Sequence, residues 1–336
     1  NINISEALVK LNEQRRYFTL FVVENDKIKG TITDGDIRRG LIKGYTLNSP
    51  VRDIMNENYI YIVDGEYDQE KIDFIIKHSI TVVPFLSKKR ELIRVCDFTK
   101  IRSILPIDAV IMAGGKGSRL MPLTKNTPKP MIEIGEKPII EYNIDLLKRF
   151  GVKNIHISVN YLAEKITSYF KNGEQKKLNI SYLIEDKPLG TIGAVSSIEK
   201  FQNNYVLLMN SDLLTNINLD AMFREFINED ADIIIATSDY QVQIPYGVIE
   251  TKDNRITSLK EKPTYTYFSN AGMYIFKREL VSLIPEDTFF NATDFLDLLL
   301  KQKKKVLHYS IKNYWLDIGK HEDLEKSKID VKNLKF

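Results

Sequence analysis

At about 150 residues per domain, a chain of 336 residues implies two domains, and a hydrophobic fraction of 43% with only 16 Gly and 11 Pro excludes a collagen-like or disordered chain. The single cysteine, Cys96, excludes a disulfide framework and a cysteine metal cluster. The net charge of +3 is spread evenly, with 17 Lys/Arg against 15 Asp/Glu in residues 1–105 and 31 against 30 in residues 106–336, so neither half carries the one-signed excess of a nucleic-acid-binding surface. No apolar run approaches the roughly 18 residues of a membrane span, and the opening NINISEALVK lacks the apolar centre of a signal peptide. The expectation is a cytoplasmic protein with neither a membrane nor a nucleic-acid partner.

In chain order, the first hundred residues hold two rough copies of one plan of helix, strand, turn, strand, helix. In the first copy ISEALVKLNEQ has helical spacing, TLFVVEN reads as a strand, Asn25-Asp26 marks a tight turn, and KIKGTITDGDIRRGLIKG runs from strand into helix. The second copy reads EYDQEKIDFIIKHS, ITVVPFL, SKKRE, then LIRVCDFTKIRSIL as a second strand-to-helix passage. Half-units this small bury too little surface to stand alone, so one small α/β domain of two packed halves is expected.

Gly30-Thr-Ile-Thr33-Asp-Gly-Asp36 resembles the Gly-x-x-Thr-x-x-Asp pattern of tandem cystathionine-β-synthase-type (CBS) domain pairs. That resemblance implies an adenosine or guanosine ligand, with Thr33 reaching a phosphate and Asp36 accepting hydrogen bonds from the ribose hydroxyls. A carboxylate suits two vicinal hydroxyl donors. The second copy departs from the pattern, placing Arg94, Asp97 and Lys100 at the three positions, so at most one regulatory nucleotide site is expected. The competing reading is a pair kept for homo-oligomerisation alone.

From Ile107 the character changes. IDAVIMA is apolar enough for a strand buried on both faces, and it ends in Gly114-Gly-Lys-Gly117-Ser-Arg119. Glycines let backbone N–H groups approach a polyphosphate closely, although this run is neither G-x-G-x-x-G nor a Walker A loop. Arg119 and Lys129 follow, with prolines stiffening the loop between them, and Pro138 opens an amphipathic helix that stops at Gly151. Two fixed cations beside a glycine cradle suit displacement at a nucleotide α-phosphate. Downstream, the strand VLLMNSD ends in Asp212, where a carboxylate can hold Mg²⁺, and Mg²⁺ wants a second oxygen ligand nearby.

The compound motif Ala113-Gly-Gly-x-Gly-Ser-Arg-Leu-x-Pro-Leu-Thr with Pro128-Lys-Pro-Met131 resembles the signature of the sugar-phosphate nucleotidyltransferases over about 107–330. The resemblance implies an α/β fold with a Rossmann-like, mixed but mainly parallel sheet of GT-A-like type, preceded by the CBS pair. It implies that NTP and a sugar 1-phosphate give an NDP-sugar and pyrophosphate. Arg119 and Lys129 would act at the reacting phosphates. Ala113, Gly114, Gly115, Gly117 and Ser118 would hold the nucleotide, with Glu185, Pro188 and Gly190 closing over the base. Asp317, in a Trp-x-Asp-x-Gly motif, would join Asp212 on Mg²⁺. Tyr246, Gly247, Glu261, Lys262 and Asn270 would line the sugar-phosphate half.

A Glu185 carboxylate accepting both donors of a guanine edge favours GTP, with UTP or dTTP as the alternative. The domain order resembles bacterial guanylyltransferases that make GDP-hexosamines for legionaminic acid synthesis. Two other classes compete. A silent nucleotide sensor would have no need of Arg119, Lys129, Asp212 and Asp317 together, and a glycosyltransferase would show Asp-x-Asp where this chain has Asn210-Ser-Asp212. Trp315, with the 33 Phe and Tyr residues, reads as core or interface, and His156 as a strand residue.

Overall fold

The computed structural model describes residues 2–14 and 18–334. The chain divides into two compact units, Asn1–Ile104 and Leu105–Phe336. Among the described residues no helix is long and apolar enough to cross a membrane.

The first unit opens with helix α1 (Ile4–Glu13), whose N-cap Asn3 and Glu6 form a reciprocal capping box. Strands β1 (Thr19–Glu24) and β2 (Lys27–Thr33) form a hairpin. Its turn residues Asn25 and Asp26 both take positive φ, 50° and 59°, the left-handed geometry that two-residue hairpin loops need. Helix α2 (Asp34–Ile42) follows. In the second copy β3 (Ile62–Val63), helix α3 (Gln69–Lys77), β4 (Val82–Leu86) and β5 (Leu92–Asp97) make a three-stranded sheet under one helix.

The second copy has no closing helix, contrary to the strand-to-helix reading of LIRVCDFTKIRSIL. Asp97 instead caps a turn, accepting from the Thr99 N–H at 3.0 Å, and Lys100 N–H closes back on the Asp97 carbonyl. Only five residues then remain before Pro106, too few for a stable helix. Each copy buries its own apolar cluster, Ile4, Ala7, Leu11, Ile32, Ile37 and Val51 in the first and Ile62, Ile72, Ile75, Val83 and Phe85 in the second. Paired backbone hydrogen bonds between Thr31 and Asn56, at 3.0 and 2.9 Å, tie β2 to the connection between the copies.

The second unit is built on a seven-stranded sheet. Its strands are β6 (Ile107–Met112), β9 (Asn154–Val159), β10 (Asn179–Ile184), β11 (Tyr205–Asn210), β13 (Ile233–Gln243), β16 (Thr264–Lys277) and β17 (Val306–Ser310), in the order β10-β9-β6-β11-β16-β13-β17. Only β16 runs against the others, so the sheet is mixed and mainly parallel. Small ladders β7 (Glu133–Ile134) with β8 (Lys137–Pro138) and β12 (Leu213–Thr215) with β18 (Trp315–Asp317) lie outside it, as does the hairpin of β14 (Val248–Lys252) and β15 (Arg255–Lys260).

Helices α4 (Ile139–Arg149), α5 (Ala163–Phe170), α6 (Leu219–Asn228) and α7 (Ala292–Lys301) connect the strands, and α8 (His321–Asn333) follows the last of them. Ile107–Ile111 of β6 are buried because β6 lies inside the sheet with both faces covered, which explains its unbroken apolar run. The chain moves from β6 to β9 and β10 on one side and then crosses to β11 on the other. Such a reversal leaves a crevice beyond the carboxyl ends of the strands.

Candidate active site

Four loops leave the carboxyl ends of β6, β9, β10 and β11 side by side. The first is the glycine loop. Ala113 N–H still bonds Ser158 O at 2.8 Å, extending the β6–β9 ladder before the chain turns away. Gly117 has φ +63°, and a Cβ there would stand 2.8 Å from Lys129 Cβ, so this glycine lets the Lys129 stem lie against the loop. Gly115 is exposed and has open space where a Cβ would be, leaving its backbone free for a ligand. Ser118 and Arg119 sit in a short 3₁₀ turn beside it, both exposed.

Lys129 is 9% exposed, and its ammonium is ion-paired with Asp212 Oδ2. Asp212 and Asp317 are far apart in sequence but adjacent in space. The β12–β18 ladder pairs Leu213 with Asp317, and Ile318 N–H donates to Asp212 O at 3.1 Å. Asp323 then accepts from the N–H groups of Gly319 and Lys320 at 3.1 and 3.0 Å, fixing the turn after Asp317. The Arg119 guanidinium lies against Gly319, 3.4 Å from where a Cβ would project. Burial first, then the Asp212 carboxylate, push the Asp317 carboxyl above the ordinary carboxylate value, against the pull of Lys129 and Arg119.

Asp212 Oδ1 and Asp317 Oδ1 are both buried without a hydrogen-bond partner. Two orphaned carboxylate oxygens held together are a donor set that fits a hard divalent cation such as Mg²⁺, which usually takes one or two carboxylates and draws the rest of its shell from water and phosphate. Among the described residues there is no cluster of three His, Cys, Asp or Glu to complete a cage.

Glu185 leaves the end of β10 buried. Its Oε1 accepts from Ser158 Oγ and its Oε2 from Leu189 N–H at 2.9 Å, while Asn160 Nδ2 donates to its carbonyl at 2.5 Å. Both carboxylate oxygens thus brace the loop over Pro188 and Gly190, a task the guanine-edge expectation did not foresee. Gly190, at φ +80°, approaches Phe290 O so closely that a Cβ would be 2.5 Å away.

A cavity of about 230 Å³ opens beside Asp317, lined by Thr191, Asn210, Asn270, Asn291, Thr293 and Trp315 among others. Its walls offer amide and hydroxyl groups suited to a polyhydroxyl ligand. Asn270 was expected there; Tyr246, Gly247, Glu261 and Lys262 do not line it and sit exposed at the base of the β14–β15 hairpin. Gly247 and Glu261 adjoin each other across that base. Sequence reasoning missed Asn210, Asn291 and the two threonines, and placed Trp315 in core or interface, whereas it lines the cavity and donates to Ala271 O at 3.0 Å. The available signal was position: Asn210 ends β11 two residues before Asp212. His156 conforms to its strand reading, bonded to Ser181 at 2.7 Å, and burial lowers its pKa.

The family model for nucleotidyl transferases matches residues 108–333. The chain belongs to that family. It is similar, at 32% identity over 68% of its length and 99% of the relative, to the D-glycero-alpha-D-manno-heptose 1-phosphate guanylyltransferase of Aneurinibacillus thermoaerophilus. It is equally 32% identical to the UTP–glucose-1-phosphate uridylyltransferase of Synechocystis, over 64% of this chain and 61% of that one. Among solved structures, HddC from Yersinia pseudotuberculosis, complexed with GMP-PN, superposes with a TM-score of 0.52 at 27% identity over 66% of this chain and 98% of that one. A Bacillus anthracis chain described as a glucose-1-phosphate thymidylyltransferase shares the fold, at 24% identity and a TM-score of 0.56 over 68% of this chain and 97% of that one.

Proposed function

We propose that this nucleotidyl transferase moves a nucleoside monophosphate from an NTP to a sugar 1-phosphate, with GTP and a hexosamine 1-phosphate as its pair. The observation that carries the reading is the convergence of Arg119, Lys129, Asp212 and Asp317 at the mouth of the glycine loop. A phosphate oxygen of the sugar 1-phosphate attacks the α-phosphorus; the new P–O bond forms as the bond to the β-phosphate bridge breaks, and pyrophosphate leaves. Gly114, Gly115 and Gly117 shape the cradle for the triphosphate, and Arg119 and Lys129 offset charge on the phosphates as they react. Asp212 and Asp317 would hold Mg²⁺, which supplies Lewis-acid polarisation of the phosphoryl oxygens when bound. The amide-lined cavity beside Asp317 takes the sugar, and the base lies toward the Glu185–Gly190 loop.

The choice of GTP rests on the guanylyltransferase relatives, among them the mannose-1-phosphate guanylyltransferase of Mycobacterium tuberculosis at 28% identity over 67% of this chain. The Synechocystis relative supports UTP as the second reading. Pyrophosphate release measured with GTP, UTP and dTTP against a panel of sugar 1-phosphates decides: turnover with UTP or dTTP but not GTP sinks the guanylyl assignment, and no turnover with any pair sinks the enzyme reading.

For the first unit we propose a CBS-type pair that binds a regulatory nucleotide through Thr33 and Asp36 and joins copies of the chain into a homo-oligomer. Those two residues satisfy each other as a capping box on α2. Thr33 N–H donates to Asp36 Oδ2 at 2.9 Å and Thr33 Oγ1 to the same oxygen at 2.7 Å, while Arg39 pairs with Asp36 Oδ1 at 2.5 Å. A ribose would therefore compete with hydrogen bonds already made. Calorimetry of the full chain with AMP, ATP, GMP and GTP, repeated on Asp36→Ala, tests the site; absence of any binding event attributable to Asp36 rules it out.

A further inference from the structure

We propose that a second copy of this chain docks on the arm formed by residues 238–269, the two arms meeting across a two-fold axis. This contact belongs to the second unit and is distinct from the homo-oligomer contact of the first.

Strand register lays the arm bare. β17 pairs only with Ile233–Thr237 of β13, and β11 only with Met273–Lys277 of β16. β13 and β16 go on pairing with each other from Ser238 and Ser269 to Gln243 and Thr264, and among the described residues no strand lies on either outer edge there. The bond from Ile244 N–H to Pro263 O at 3.0 Å carries the pairing on toward the β14–β15 hairpin. What leaves the seven-stranded sheet is thus a two-stranded ribbon, a form that is marginal in water unless its apolar face is covered.

Alternation along the ribbon sorts its side chains. Tyr240 opposes Tyr267, and two residues further on Val242 opposes Tyr265, so these four share one face. Tyr240 and Tyr267 are 61% and 58% exposed. In the hairpin Ile249 opposes Leu259, and Ile256 lies across from Thr251, two residues beyond Ile249. These three aliphatic side chains are 52%, 67% and 68% exposed in the same order. Both stretches of the arm therefore present apolar side chains to water in one continuous segment of the chain.

Charge selects the occupant. Residues 238–269 carry four acidic and four basic side chains, and one opposite pair, Lys260 and Glu250, is already joined at 2.9 Å. A neutral surface of mixed sign has no pull on nucleic acid or anionic lipid, and against its own image it meets no net repulsion. Area agrees. The exposed rings and aliphatic side chains amount to on the order of 700 Å² per copy, taking roughly 150–250 Å² for a whole aromatic side chain, close to the ~800 Å² that each partner gives to a standard stable interface. The contact also bears on the site. Leu259 Cδ1 and Glu261 Oε2 lie 3.5 and 3.1 Å from where a Cβ on Gly247 would stand, so a copy seated on Leu259 steadies the strand ends that carry Gly247 and Glu261.

Light scattering of the full-length protein after gel filtration, with hydrogen exchange followed by mass spectrometry at a high and a low protein concentration, tests this. The wild-type protein is expected at the mass of two chains or a multiple of it. Ile249→Glu combined with Leu259→Glu is expected to halve that mass at the same concentration, raising the Kd of the contact at least about thirtyfold. Ile256→Lys, a single change at an exposed position, should weaken the contact in the same direction. In wild type the backbone amides of residues 240–243 and 249–259 should be protected at high concentration and lose that protection on dilution. A wild-type mass of one chain overturns the inference. So does retention of the wild-type mass by both variants, with circular dichroism showing them folded, which assigns the assembly to the first unit, and so does arm exchange that is the same at both concentrations. None of these readouts uses turnover, so the nucleotidyltransferase reading stands or falls separately.

Discussion

Gly117 shows how one residue sets the geometry of another. Its φ of +63° and the 2.8 Å approach of its virtual Cβ to Lys129 mean that Gly117→Ala must both strain the backbone and push the lysine stem away. The expected outcome is a loss of about 1–3 kcal/mol of stability in thermal unfolding and a fall in kcat as Lys129 is displaced. Removing the cations themselves is simpler. Arg119→Ala and Lys129→Ala should each lower kcat by about 10²- to 10³-fold, with a smaller change in KM, measured as pyrophosphate release. Asp317 makes the opposite bargain with stability. Its carboxyl lies beside Asp212 with one buried oxygen unpartnered, so Asp317→Asn should raise stability by about 1 kcal/mol, read as a higher melting temperature in thermal unfolding, while abolishing turnover. The identities of these residues were legible from motif positions. Glu185 was legible only as present in its loop; that its oxygens are taken by Ser158 and Leu189 depends on two neighbours, 27 and 4 residues away, meeting at one strand end.

Among the elements, α4 illustrates how the sheet's surroundings are fastened. Asp145 on α4 accepts from Lys137 at 2.5 Å and Lys176 at 2.8 Å, and Lys176 also reaches Glu141 at 2.6 Å, so β8, α4 and the turn before β10 share one ion network. Burial alone would raise the Asp145 pKa; the hydrogen bonds from the two lysines outweigh it and hold the carboxyl below its ordinary value. A depressed carboxyl lends stability that is present above the unfolded-state pKa and is lost as pH falls through the folded-state value. Asp145→Asn should therefore cost about 2 kcal/mol at pH 7, and the gap between variant and parent in urea unfolding should close as pH drops through the ordinary carboxylate range and below. The signature loop is tethered in the same manner. Thr124 Oγ1 donates to Gly117 O at 2.9 Å, Tyr161 OH reaches Lys125 O at 2.7 Å, and His321 Nε2 meets Met121 O at 3.0 Å, joining the connection before α5 and the start of α8 to one segment. Nothing in local spacing shows these tethers, because each partner lies on a different element.

At the scale of the whole molecule, the most direct check is the substrate panel: GTP turnover with a hexosamine 1-phosphate exceeding UTP turnover at least about tenfold would fit the guanylyl reading, and the reverse ratio would replace it with the uridylyl one. By itself the sequence marked the buried central strand and the glycine-rich turn that follows it, and it singled out Arg119, Lys129, Asp212 and Asp317 as candidates. It did so because those features are local: a run of apolar residues, a cluster of glycines, a charge at a strand end. Only the tertiary structure decided that the second repeat ends in a turn, that Asp212 and Asp317 meet at one end of the β12–β18 ladder, that Lys129 lies on Asp212, and that Asn210, Asn291 and Trp315 line a cavity. Each of those is a meeting of residues distant in the chain, and pairing across a sheet or against a helix is fixed by burial and register, which no short stretch of sequence carries.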